Sequence, residues 1–229
     1  MTPVVAQTTG PLVDWAWIGD HLNDVASRAL EHVELTVLAV VFGLLISFTL
    51  EIIAYRHQRL QAPIASIASL LYTIPSLALI SLLVTVTGFS YTTVVIPLTM
   101  YTLLILIRNI LAGLEGVPED ARDAARGMGF TGRQMLWRVE IPLAMPVIIA
   151  GIRIATVSTI GLVTIAALIG RGGFGEFILD GLTEFFWTPL LLGVVLSVAL
   201  ALIADLLLIG VGRLATPWTR SSAVRAIAT

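Results

Sequence analysis

The 229-residue chain contains no cysteine, and all 13 of its basic residues are arginine. Without cysteine there is no disulfide framework, no thiol nucleophile and no cysteine-ligated metal. Without lysine there is no phosphate-binding lysine of a Walker A loop, no Schiff-base lysine and no lysine general base. The histidines, His21, His32 and His57, are dispersed, and no HExxH, GxSxG or paired-carboxylate pattern accompanies them. Charge of either sign is scarce, at 12% of residues against about 25% in ordinary soluble domains. Apolar residues fill the space, at 57% with a mean hydropathy of +0.97. The expectation is an all-α membrane protein that crosses the bilayer several times, binds no cofactor or metal, engages no nucleic acid and is not itself an enzyme.

Five apolar stretches have the length of a span, at about 35–55, 62–86, 92–111, 142–169 and 190–209. They define a membrane domain over 35–213, with an external interfacial segment 1–34 before it and a cytoplasmic tail 214–229 after it. The first segment sets Asp14, Asp20, Asp24, Glu31 and Glu34 against Arg28 alone. Its Trp15 and Trp17 read as interfacial anchors, with a cation–π cage as the alternative. Met1–Gly10 lacks the basic start of a signal peptide, so no cleaved leader is expected. Ten of the thirteen arginines, Arg56, Arg59, those from Arg108 to Arg138, Arg213, Arg220 and Arg225, fall on one side. The positive-inside rule makes that side cytoplasmic, with the N-terminus outside and the C-terminus inside.

Within the spans, Glu51 is expected at the cytoplasmic interface, and Asp205 lies toward the cytoplasmic end of the last one. Arg153 is the only charge in the fourth span, and at the bilayer centre it would cost about 2.5–3.5 kcal/mol, so it is expected to face a protein interface or a wet cavity or to snorkel, with structural pairing preferred over direct substrate contact. Thr73, Pro75, Ser76, Ser158 and Thr159 are candidate pathway residues, although each hydroxyl has the competing use of bonding its own helix backbone. Gly151, Ala155 and Thr159 form a ridge of small residues suited to close helix contact. Gly170–Gly175 formally satisfies GxGxxG, but an apolar helix precedes it where a dinucleotide fold needs a strand. It reads as an external loop and interfacial helix.

The longest charged segment is Pro118–Pro142. Pro118 suits the first position of a helix, and Glu119 and Asp120 place negative charge at its positive end. Ala121, Ala124, Ala125 and Met128 recur at helical spacing as a narrow, mostly small face. Gly127 and Gly129 weaken the helix, and Thr131 with Gln134 has the form of a capping box opening a second helix toward Trp137. A solvated amphipathic loop accounts for the charges and caps but not for the spacing of Ala, Gly and Pro.

That spacing, Asp123-Ala124-Ala125, Gly129 and then Val139-Glu140-Ile141-Pro142, resembles the EAA-x3-G-x9-I-x-L-P loop of permease subunits of type I ABC importers. Asp123 stands for the usual Glu and Val139 for Ile. The resemblance implies a five-span permease whose loop 115–141 is a cytoplasmic coupling helix, with Asp123, Ala124, Ala125, Gly129 and Pro142 as the coupling residues. It implies as partners two separate ATPase subunits that hold ATP and Mg, a second permease of the same or a related kind, and an external or periplasmic substrate-binding protein. The expected location is a bacterial cytoplasmic (inner) membrane. Thr73–Leu79, Arg108-Asn109, Ala124–Gly129 and Ala167–Glu176 look like the osmoprotectant branch, which carries glycine betaine, choline, carnitine and proline betaine. Methionine-type permeases look similar in outline and are the alternative. An ATPase-independent carrier or channel is a third reading.

Overall fold

A computed structural model describes residues 12–218. Met1–Gly10, Arg220, Arg225 and most of the tail therefore lie outside the described residues. Every regular element among the described residues is helical. They are α1 Trp15–Asp20, α2 Leu22–Arg56, α3 Gln61–Thr73, α4 Ser76–Thr87, α5 Tyr91–Glu115, α6 Glu119–Gly127, α7 Gly132–Met135, α8 Ile141–Val163, α9 Phe174–Thr183 and α10 Trp187–Ala215. Short 3-10 turns at Gln58–Leu60 and Thr164–Ile169 and a π-turn at Leu136–Glu140 complete them. Four helical stretches are long and apolar enough to cross a membrane, Leu22–Arg56, Tyr91–Glu115, Gly132–Ile169 and Trp187–Ala215, and α3 with α4 makes a fifth if the broken pair counts as one.

The helices differ from the sequence expectation in three places. First, α2 begins at Leu22 rather than near 35, because nothing from Leu22 to Glu34 breaks a helix and Asp24 sits in its first turn where the dipole favours it. His32, expected outside the spans, is thereby inside a long helix and fully buried. Glu51, expected at an exposed interface, is also buried, with its Oε2 lacking a hydrogen-bond partner. Second, the stretch 62–86 is broken at Ile74-Pro75, where Pro75 takes φ −58°, ψ 129° as the N-cap of α4. Proline lacks the N–H that would continue α3, and its ring drives the preceding residue out of helical geometry. Third, the fourth span does not start at Pro142. The chain runs through α7 and the π-turn directly into α8, so Pro142 lies inside a continuous helical run. The wider turn leaves room for the proline ring beside the carbonyl four residues back.

The chain divides into two compact units. One is built from 12–39, Ile74–Thr99 and Ser158–Leu202, with a core of Leu35, Ala39, Ile80, Val94, Leu98 and Val163. In it His32 fastens α2 to the following segments. The Phe174 amide donates to Nδ1 at 3.3 Å, so the ring proton is on Nε2, which donates to the Ile160 carbonyl at 3.0 Å. Arg28 pairs with Glu31 at 3.3 Å and with Glu176, and Arg171 sits 3.7 Å from Glu31 and 4.9 Å from the Tyr91 ring centroid. Burial pushes the Glu176 carboxyl up against the opposing pull of Arg28. Gly173 meets α2 closely at φ +52°, where a Cβ would lie 2.6 Å from that of His32. Gly173→Ala is expected to destabilise the protein by roughly 2 kcal/mol or more, through left-handed strain and overpacking. An unchanged thermal midpoint in detergent would refute this.

The other unit is built from Val40–Thr73, Met100–Val157 and 203–218. Its core joins Leu106, Ile110 and Leu114 of α5 to Leu136, Ile141, Ala144 and Ile148. Gly151 lets α8 approach α5, since a Cβ there would stand 2.4 Å from that of Asn109. Ala155 and Thr159, the rest of the small-residue ridge, are buried.

Candidate coupling site

The loop between α5 and α8 is a helix, a turn and a helix. Pro118 takes φ −57°, ψ 135° and serves as the N-cap of α6, so the helix begins one residue later than the sequence suggests, with Glu119 and Asp120 in the first turn. At the other end the Phe130 amide donates to the Ala125 carbonyl at 3.1 Å and the Gly129 amide to Arg126 at 2.9 Å, while Gly129 has φ +77°. This is a Schellman motif, and it requires a residue at Gly129 that accepts the left-handed conformation. The capping box then forms as expected, with the Gln134 amide donating to Thr131 Oγ1 at 3.4 Å and the Thr131 amide to Gln134 Oε1 at 2.8 Å.

Of the residues expected to meet another protein, Asp123, Ala124 and Gly129 are exposed, as is Met128, whereas Ala125 is 1% exposed and faces the chain's own interior. Ala125 therefore sets how closely α6 lies on its own body. Pro142 is partly buried in α8. Asp123 is not a free cap, because Arg126 Nη1 donates to its Oδ1 at 2.7 Å and to Glu119 Oε1 at 2.8 Å. Hydrogen bonds from Arg122 and Arg126 hold the Glu119 carboxyl below the usual carboxylate range. Such exposed pairs contribute little to stability and mainly fix the shape of the surface.

Arg122 differs, because it turns inward. Its Nε donates to Glu140 Oε1 at 2.9 Å, its Nη1 to Glu119 Oε2 at 3.0 Å and its Nη2 to the Leu114 carbonyl at 2.7 Å. Glu140 is 2% exposed and also accepts from the Tyr55 hydroxyl. Three nitrogens of one guanidinium thus reach α6, the C-terminal turn of α5 and the π-turn, and the carboxylate carries the contact on to the end of α2. Charge-assisted bonds of this kind are worth about 1.5–3 kcal/mol, against roughly 0.8 kcal/mol for burying the methyl of Ala125, the only buried side chain of α6. The polar cluster is the stronger grip on the helix.

The candidate pathway residues take no part in these bonds. Thr73 is exposed and its hydroxyl donates to the Leu70 carbonyl at 2.7 Å, which is the backbone-bonding use. With Ala62, Ser66, Ser69 and Arg108 it borders an open hollow of about 570 Å³, and Arg108 Nη2 donates to Ser69 Oγ at 3.3 Å. Pro75 is exposed, Ser76 and Ser158 are half-buried and Thr159 is buried. Sequence reasoning missed Ser66 and Ser69, although the small and polar residues Ala62, Ala65, Ser66, Ser69 and Thr73 recur at helical spacing. In the fourth span Arg153 finds its structural partner in Asp205, with Nε to Oδ1 at 2.7 Å and Nη2 to Oδ2 at 2.9 Å.

Among solved structures, a chain of the inward-facing MetNI methionine ABC transporter matches with a TM-score of 0.75, over 86% of this chain and 98% of that one, at 19% identity. A chain of an amino acid ABC transporter matches with a TM-score of 0.73, over 88% and 98%, at 18% identity. These likenesses concern the fold. Curated relatives are nearer in sequence. The osmoprotectant import permease protein OsmW of Salmonella typhimurium is 38% identical over 82% of this chain and 90% of its own length. The choline transport system permease protein OpuBB of Bacillus subtilis is 32% identical over 85% and 90%. The glycine betaine/carnitine/choline permease protein OpuCB of the same organism is 33% identical over 82% and 86%. Residues 36–213 match the family described as the binding-protein-dependent transport system inner membrane component. The chain belongs to that family, and it is a permease subunit of an ABC importer.

Proposed function

We propose that this permease forms, with a second permease of the same or a related kind, the pathway by which a compatible solute such as glycine betaine, choline, carnitine or proline betaine enters the cell. The observation that carries the solute class is the group of relatives at 32–38% identity over four-fifths of the chain, whose names are osmoprotectant, choline, glycine betaine and carnitine permeases. The fold likeness to a methionine transporter is weaker support for the alternative, because at 19% identity it speaks to architecture alone.

In this reading the chain is multi-pass in the inner membrane, with its N-terminus outside and its C-terminus in the cytoplasm. The exposed surface of Asp123, Ala124, Met128 and Gly129 meets a separate ATPase subunit, one for each permease, and ATP with Mg is bound and hydrolysed there. A loaded binding protein docks on the external side and delivers the solute. Closure of the ATPase pair moves the coupling helices and opens the pathway outward; hydrolysis resets it.

A pull-down from the native host in mild detergent, through a tag on this chain, tests the assembly. The expected result is an ATPase present in a two-to-two ratio with permease, and the identity of the second permease separates a homodimer from a heterodimer. If no ATPase accompanies the chain where other membrane complexes stay intact, the reading fails and an ATPase-independent carrier takes its place. Competition of labelled glycine betaine uptake by choline, carnitine and methionine then ranks the solutes.

A further inference from the structure

Docking explains the outward face of α6 but not its inward one. The helix has nine residues and buries only Ala125, so apolar packing gives it little purchase on the rest of the chain. Arg122 supplies that purchase through two directed bonds out of the helix, to the Leu114 carbonyl and to Glu140, while a third, to Glu119, holds the guanidinium within it. The Leu114 carbonyl belongs to the last turn of α5, where carbonyls lack partners inside the helix and a cation is favoured. Glu140 is the last residue of the π-turn and immediately precedes the core residue Ile141 of α8. The Tyr55 hydroxyl, in the last turn of α2, donates to the same Glu140 oxygen that receives Arg122. A planar guanidinium and a buried carboxylate held from two sides leave few rotameric alternatives. Tyr55, Arg122 and Glu140 themselves line a hollow of about 440 Å³, together with Gln58, Gln61 and Glu115.

We propose that Arg122, Glu140 and Tyr55 form a rigid joint that carries a displacement of α6 into the ends of α2, α5 and α8, and that they act as positioning residues of the transport cycle. The proposal rests on the reading of α6 as the ATPase-docking helix. In it the joint, rather than the docking surface, sets how faithfully ATP binding is converted into movement of the spans. Loss of the joint leaves α6 docked but loosely attached.

This chain has no cysteine, so a single label can be placed on it for a test in the complete importer, reconstituted with its ATPase and binding protein. A single spin label at Phe89→Cys, in the exposed turn between α4 and α5, reports ATP-induced change within the permease, while hydrolysis is measured on the same vesicles. Glu140→Gln keeps the shape of the side chain and removes its charge; Tyr55→Phe removes one hydroxyl. Both variants are expected to bind the ATPase and hydrolyse ATP near the parent rate, whereas the label response to ATP falls by roughly tenfold in Glu140→Gln and several-fold in Tyr55→Phe, within the range of couplings between sites. If Glu140→Gln fails to insert, Tyr55→Phe alone decides. A label response equal to the parent's in a variant that retains the ATPase overturns the joint and leaves the docking reading intact. If the parent itself holds no ATPase, the docking reading falls and the joint with it.

Discussion

A Gly129→Asp importer is expected to reach the membrane at the parent level and to move little solute. The substitution separates folding from docking because of where the residue sits. A Cβ at Gly129 has nothing within 4 Å, so overpacking does not arise. The cost to the fold is the φ of +77°, and aspartate is among the residues that tolerate the left-handed region, at about 1 kcal/mol. On the outside the same substitution places a charged side chain on the exposed surface next to Met128. On the proposed docking, an ATPase surface fitted to a bare backbone would meet both bulk and unpaired charge there, a strong repulsive element. Uptake is expected to fall by more than about tenfold, corresponding to a loss of at least roughly 1.4 kcal/mol in docking. Gly129→Asn, with the same conformational tolerance and no charge, should fall between the two. Parent-level uptake by Gly129→Asp protein that is stably inserted would remove Gly129 from the docking surface.

The second large effect is expected at Arg153. Its two bonds to Asp205 join α8 to α10 across 52 residues of sequence, and both groups lie in helices read as membrane spans. In Arg153→Leu the carboxylate of Asp205 is left without its partner in a helix read as a span, where an unpaired charge is unfavourable. Both side chains are about one-third exposed in the single chain, so water or a lipid headgroup offsets part of this. The thermal midpoint in detergent and the amount of inserted protein should both drop. Arg153→Leu with Asp205→Leu should recover most of the loss, because an isolated charge rather than the missing pair is what destabilises. If the single substitution is as stable as the parent, the pair is not structural, and Arg153 becomes a candidate for contact with solute.

Local features of this protein were legible in its sequence because their causes are local. The apolar stretches, the acidic first turn of α6, the capping box at Thr131 and the interruption by glycine at Gly129 each depend on a few neighbouring residues. Polarity, by contrast, misled wherever its partner was distant. His32 looks like an external residue until the Ile160 carbonyl and the Phe174 amide are seen to absorb both ring nitrogens. Arg122 looks like one more charge on a solvated face, yet it turns inward to Glu140, eighteen residues away. The partner of Arg153 was expected in kind but had no local signal to name it. At Pro75 and Pro142 the same residue type had opposite outcomes, a break in one case and a continuous helix in the other. A π-turn precedes Pro142, yet Pro97 and Pro146 also lie inside continuous helices, so residue type alone does not announce a break.

That π-turn also fixes phase. An α-helix turns by about 100° per residue, so one extra residue accommodated at Leu136–Glu140 sets the angular register between everything before it and the span after it. Removing a single residue there would let the run close as uninterrupted α-helix and swing α7 through about that angle relative to α8. Substitutions along the loop change what its surface says; a deletion in the π-turn would change the direction in which it is spoken.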